Sequence, residues 1–203
     1  RALNRLGATL TMEEYIRYIF NLVANDRPDL QPCYGIGFEA ELHEEEAEHL
    51  AGYRGMGPVR VGNLAWKQVQ HDVYGSVMLA STQLFFDQRL QNPGDAATFE
   101  RLEPLGEQAW LMHDQPDAGL WEFRGRASVH TYSSVMCWAA CDRLAKVALR
   151  FGLTDRAQHW RGRADRIREK ILSSAWNEEH GHFADAFGGD RLYWTGFESR
   201  YVY

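Results

Sequence analysis

Cysteine, long apolar runs and clustered positive charge are all scarce in this chain. Of 203 residues only three are cysteine, Cys33, Cys137 and Cys141. Three thiols cannot all pair, and Cys137 and Cys141 sit four apart within one helical pattern. They read as small core residues of a protein kept in a reducing, cytoplasmic compartment, not as a disulfide framework or a metal site. No apolar run approaches the roughly 20 residues that a membrane helix needs. Lys and Arg number 22 against 28 Asp and Glu, for a formal net charge of -6. With no basic patch, nucleic acid and anionic membrane are poor partners, because both bind through clustered cations. The Arg-rich stretch 156–168 is interleaved with Asp155, Asp165 and Glu169, and reads as a solvated helix face with internal pairs. The eight histidines show no metal-ligand spacing, so neither a metal nor another cofactor is expected. An initiating Met is also lacking: the chain opens on Arg1, inside a motif, and is expected to be a piece of a longer protein whose leader, if any, is not visible.

What is present is a series of helical signals separated by connections of two sizes. Thr11 followed by Glu14 has the form of a capping box, and Tyr15, Ile16, Ile19, Phe20 and Val23 mark an apolar face to about residue 25. A long Gly-, Pro- and charge-rich connection covers residues 26–62. One long helix is then expected over about 63–90, with Trp66, Val69, Val73, Val77, Leu84 and Phe85 at helical spacing. Asn92-Pro93-Gly94-Asp95 makes a short turn, and a helix of about 97–112 leads into a second long connection, 113–130. A helix from Thr131 ends at Gly152, Thr154 caps the next, which runs to about Ala175, and residues 177–187 suit a small hairpin. Short turn, helix, long loop, helix is the pattern of stacked helical hairpins, with the long loops at one end.

The second long loop contains Leu120-Trp121-Glu122-Phe123-Arg124. An acid between two aromatic rings is how a chain would keep a carboxyl protonated near neutral pH, since water is stripped from the charged form. The other reading is a solvated loop glutamate beside two core rings.

Several segments then point the same way: residues 2–7 (Ala-Leu-Asn-Arg-Leu-Gly), Leu30-Gln31-Pro32 with Tyr34-Gly35-Ile36, the run from Gly52-Tyr53-Arg54-Gly55 through Pro58-Val59-Arg60 to Asn63, Gln70-His71-Asp72-Val73-Tyr74-Gly75, and the loop from Asp117 through Glu122. In that order they resemble the bacterial branch of the family 15 glycoside hydrolases, the glucoamylase and trehalase-like enzymes, over about residues 1–190. The resemblance implies an all-α catalytic domain, the (α/α)6 toroid. Since about three helix pairs are countable where the toroid needs six, about half of it is expected here, with the rest missing. Inner helices such as 131–152 are then expected to keep an apolar face exposed.

The resemblance also implies inversion at an α-glucosidic bond, with an α-glucoside or oligosaccharide as substrate. One acid protonates the departing oxygen while a second carboxylate, roughly 6.5 to 9.5 Å away, activates water. Glu122 takes the first role by resemblance. The second belongs in the family to a glutamate beyond Tyr203; Glu198 matches no motif for it. The Trp-x-Arg-Asp clamp of the family is expected before Arg1. Trp121 would present a flat apolar face to sugar C–H groups, or serve as plain core packing. Arg60 and Arg124 are planar multi-donors suited to vicinal hydroxyls, or equally to loop ion pairs. Tyr53 and Arg54 are further candidates for sugar contact. His130, Tyr132 and Ser133 start an inner helix at the pocket end, while His71 and Asp72 read as satisfied core polar groups within the long helix.

Phe123 stands where fungal glucoamylases place a second glutamate, so the choice among maltooligosaccharide, trehalose and other glucosides stays open. Residues 191–203 depart from the branch, being aromatic and without helical period, and read as a shifted or truncated tail. Two alternatives stand beside the hydrolase: a catalytically inactive sugar-binding fragment, and another toroid enzyme such as an epimerase. An epimerase would use a histidine pair, which the solitary Leu-Trp-Glu argues against.

Overall fold

A computed structural model gives the structure of residues 2–24, 30–122 and 125–189. Phe123, Arg124 and the tail from residue 190, Glu198 included, lie outside the described residues.

Among the described residues the chain is all-α apart from two minimal hairpins and two isolated β-bridges. In order come α1 (Ala2–Leu6), α2 (Thr9–Ala24), β1 (Glu45–Glu46), β2 (Arg60–Val61), α3 (Asp72–Ser81), α4 (Gln83–Phe86), α5 (Ala96–Met112), α6 (Thr131–Arg150), α7 (Thr154–Ala175), β3 (Trp176–Asn177) and β4 (His182–Phe183). Strand β1 pairs antiparallel with β2, and β3 with β4, the latter where a hairpin is expected. Short 3₁₀ turns occupy Tyr53–Gly55 and Leu64–Lys67.

Helix α6 is central. It packs against α3, α5 and α7, and Cys137, Ala140, Cys141, Leu144 and Val147 disappear into those contacts. The expectation that this helix keeps an open apolar face is therefore corrected: three neighbours cover it, and Leu149 is its one large exposed hydrophobic residue. The close approach has a local cause. A Cβ on Gly75 of α3 would lie 2.2 Å from the Met136 carbonyl oxygen of α6, so only glycine lets the two backbones cross there. On the α5 side, Gly106 leaves room for Leu144 and Trp160. The fully buried Trp160 donates its Nε1–H to Glu103 Oε1 at 2.8 Å, and Arg156 pairs with the same carboxylate. This joins α5 to α7.

One helix start agrees with expectation and two caps differ. Helix α5 starts where predicted because Asp95 Oδ1 accepts from the Thr98 backbone N–H and hydroxyl, both at 2.7 Å. The Thr11–Glu14 box does not form: Gly7, at φ 76, ends α1 so abruptly that α2 begins at Thr9, and Thr11 lies inside it. Its buried face is Met12, Ile16, Ile19, Phe20 and Leu22, with Tyr15 turned outward. Thr154 is the first residue of α7 and its side chain caps nothing.

The long helix expected over 63–90 is broken into the 3₁₀ turn, a non-helical stretch 68–71, α3 and α4. Residues 69 and 71 spend their backbone groups on the second long loop: Ala118 N–H donates to the Val69 carbonyl at 2.9 Å, and His71 N–H to Asp117 Oδ2 at 2.8 Å. Those bonds compete with helical ones. Further on, Thr82 Oγ1 donates to the Met78 carbonyl, a back-bond that bends helices and here separates α3 from α4. Among the described residues, no helix is long and apolar enough to cross a membrane.

Candidate active site

The second long connection, the end of α5 and the stretch before α3 enclose a cavity of about 1030 Å³. Residues 63–69 form one wall, the end of α5 with Gln115–Asp117 another, and the acid loop a third. Its polar lining includes Gln68, His71, Gln115, Asp117, Glu122 and Arg126, against apolar Leu64, Val69, Leu111 and Met112. A cleft with an apolar body and a few convergent polar groups is the usual form of a small-molecule site.

Asp117 anchors the acid loop. Its backbone exchanges two hydrogen bonds with Ser128, N–H to carbonyl at 2.9 and 3.1 Å, closing the loop 118–127 at its base. The Asp117 side chain, 1% exposed, accepts from His71 N–H and, at 2.6 Å, from Ser133 Oγ. One carboxylate thus ties the loop to the stretch before α3 and to the first turn of α6. That turn is itself pinned: Thr131 donates its N–H to the Asp185 carbonyl and its hydroxyl to the Ala184 carbonyl. Gly119, at φ 67, stands against the His130 ring, which a Cβ there would strike.

Glu122 sits at the loop tip. It is exposed, it lines the cavity, and its φ of 53 puts a non-glycine residue in the left-handed region. Gln68 Nε2 donates to its backbone carbonyl at 3.1 Å and Gln70 Nε2 to its Oε1 at 3.5 Å. The aromatic sandwich expected around it is not built among the described residues, since Trp121 is 72% exposed and Phe123 lies outside them. The water-stripping effect instead falls one layer deeper. Burial pushes the Asp72 carboxyl up to about 6, with Asp117 and then Glu122 adding to it, and Asp72 Oδ1 has no hydrogen-bond partner. Burial also lowers His71 below its ordinary 6.5, against Asp117 and the Pro116 carbonyl, which pull it up. The Tyr132 phenol is raised by burial and by Asp72. His71 and Asp72 are buried as expected, yet they form no part of a long helix: His71 lines the cavity and Asp72 begins α3.

The remaining candidates lie elsewhere. Arg60 on β2 donates to Glu44 Oε1 at 2.6 Å and Glu46 Oε1 at 3.2 Å, stapling the first loop, and it does not line the cavity. Tyr53, 73% exposed, carries the Arg54 guanidinium 5.2 Å from its ring centroid, also off the lining. Arg124 lies outside the described residues. All three cysteines are free, with Cys137 and Cys141 buried. Among the described residues no group of three or more His, Cys, Asp or Glu is placed to hold a metal ion. Gln68, Gln70 and Asp117 are the residues to which sequence reasoning gave no role. Gln70 and Asp117 fall within the segments that carry the resemblance, but no spacing rule reveals a contact between residues about fifty positions apart.

The profile of glycosyl hydrolases family 15 matches residues 1–198. The chain belongs to this family. It is 38% identical over 190 residues to the trehalase of Mycobacterium tuberculosis, covering 92% of this chain and 27% of that protein. Against the trehalase of Mycolicibacterium smegmatis it is 36% identical, over 92% of this chain and 28% of that protein. The trehalase of Thermoplasma volcanium is 28% identical over 94% of this chain and 30% of its own length. The family 15 chain therefore spans between a quarter and a third of the length of these three relatives. No solved structure matches it significantly.

Proposed function

We propose that this family 15 chain supplies the general acid of an inverting hydrolase of α-glucosidic bonds, with trehalose as the first substrate to test. The observation that carries the reading is Glu122, presented at the rim of a sugar-sized cavity and gripped there by two glutamines. The family membership and the names of the relatives support the reaction class. In the proposed step, protonated Glu122 gives its proton to the glycosidic oxygen as the C1–O bond breaks and its electron pair leaves with that oxygen. Water attacks C1 from the opposite face, activated by a carboxylate that we place in the portion of the relatives this chain does not match. Trp121 offers an exposed ring for the sugar C–H face, and Arg124 donors for its hydroxyls. Tyr53 and Arg54, which do not line the cavity, are assigned to contacts with a longer substrate. Arg60 is assigned to holding the loop, because two carboxylates already occupy its guanidinium.

The test is a graft in which residues 1–189 replace the matching part of the Mycobacterium tuberculosis trehalase. Glu122→Gln should lower trehalose turnover by a factor on the order of 10³ with KM little changed, since an amide has no proton to give. Turnover within tenfold of the unmutated graft removes Glu122 from the role. NMR of the first product should show α- and β-glucose in equal amounts, one from each half of trehalose; α-glucose alone would mean retention.

A further inference from the structure

We propose that Gln70 is a positioning residue for Glu122, and that it decides which carboxyl oxygen carries the transferable proton. This rests on the reading of Glu122 as the acid.

Gln70 is 7% exposed, and its amide nitrogen is committed to two acceptors, Gln68 Oε1 at 3.2 Å and Glu122 Oε1 at 3.5 Å. Gln68 Nε2 in turn donates to the Glu122 backbone carbonyl. The three residues close a triangle that holds Glu122 at both ends, main chain and carboxyl. Such a grip is needed, because φ 53 costs a non-glycine residue free energy that the surroundings must offset. Of the two glutamines, only Gln70 reaches the carboxyl.

A protonated carboxyl has one oxygen that accepts and one hydroxyl that donates. An N–H aimed at Oε1 favours the form in which Oε1 is the carbonyl oxygen, a stronger acceptor than a hydroxyl, and so biases the proton to Oε2. That leaves Oε2–H free to face the glycosidic oxygen. As the proton departs, Glu122 becomes a carboxylate, and the Gln70 N–H then donates to a charged acceptor. Charge-assisted hydrogen bonds are shorter and about twice as strong as neutral ones. The contact therefore tightens along the reaction, in keeping with the long hydrogen bonds of unliganded catalytic sites.

The experiment compares two leaving groups in the graft. Trehalose needs its departing oxygen protonated, whereas α-glucosyl fluoride releases fluoride without help from an acid. Gln70→Met keeps the side-chain volume and removes the donor. It should cut kcat on trehalose about 10- to 100-fold, the loss expected when a hydrogen bond to a developing charge is deleted. KM should stay within twofold, and turnover of α-glucosyl fluoride within threefold. An equal fall on both substrates would make Gln70 merely structural, and no fall on trehalose would also overturn the proposal. If Glu122→Gln spares trehalose turnover, the acid reading itself fails, a result distinct from either. Should the Gln70→Met graft not fold, the chain of residues 1–203 decides by NMR. The Gln70 side-chain amide resonances should follow a pH course that changes in Glu122→Ala, and identical courses in the two chains would refute the contact.

Discussion

Asp72 should make this protein less stable as pH rises, and replacing it by asparagine should remove that dependence. The carboxyl is buried where α3 begins, with one oxygen unpaired, and the charges of Asp117 and Glu122 oppose its own. Its folded value is raised from 3.8 to about 6. A raised acid holds its proton in the folded state after the unfolded chain has lost it. The associated stability is therefore complete below about pH 3.8 and is lost as pH rises through about 6. The size follows from 1.36 kcal/mol for each tenfold change in proton affinity, giving about 3 kcal/mol. His71 works in the opposite sense. Its lowered folded value gives stability above its ordinary 6.5 that is lost as pH falls through the folded value, so a raw pH profile mixes the two. Subtracting profiles isolates Asp72. In urea unfolding between pH 3.5 and pH 8, the stability of Asp72→Asn relative to the unmutated chain should climb by about 3 kcal/mol, most of it between pH 4 and 6.5. A difference that stays flat to within about 0.5 kcal/mol across that range would refute the argument that burial holds this proton.

Three further substitutions probe the scaffold. Gly75→Ala must push α3 away from the Met136 carbonyl and should cost about 2 to 4 kcal/mol in urea unfolding despite alanine's better helix propensity; a neutral result would mean that the helices do not cross so closely. Asp117→Ala strips the buried His71 N–H and Ser133 Oγ of their acceptor, so it should destabilise by about 2 to 4 kcal/mol and speed hydrogen exchange at the His71 amide at least tenfold, whereas unchanged exchange would contradict the anchor. Trp160→Phe removes the Nε1–H donated to Glu103 while keeping most of the ring, for an expected loss of about 1 to 3 kcal/mol that should shrink when Glu103 is replaced by glutamine in the same background.

The sequence by itself determined the helices whose signals are local. Asp95 before Thr98 starts α5, the apolar run after His130 makes α6, and Gly152, at φ 71, separates α6 from α7, because caps, turn glycines and 3.6-residue periodicity act within a few residues. The motifs that carry the family resemblance, Glu122 in its loop among them, were likewise legible before any coordinates. Tertiary structure decided the rest. The helical spacing of Trp66, Val69 and Val73 pointed to one continuous helix, yet residues 68–71 turn their backbone to a loop almost fifty residues away, and a long-range hydrogen bond outweighs local propensity. The same long-range pairing buries Asp117, leaves Trp121 in the open, places Gln70 against Glu122 and moves the desolvated carboxyl from Glu122 to Asp72. Desolvation and side-chain hydrogen bonds depend on what approaches from the far side of the fold, and a linear pattern carries no record of that approach.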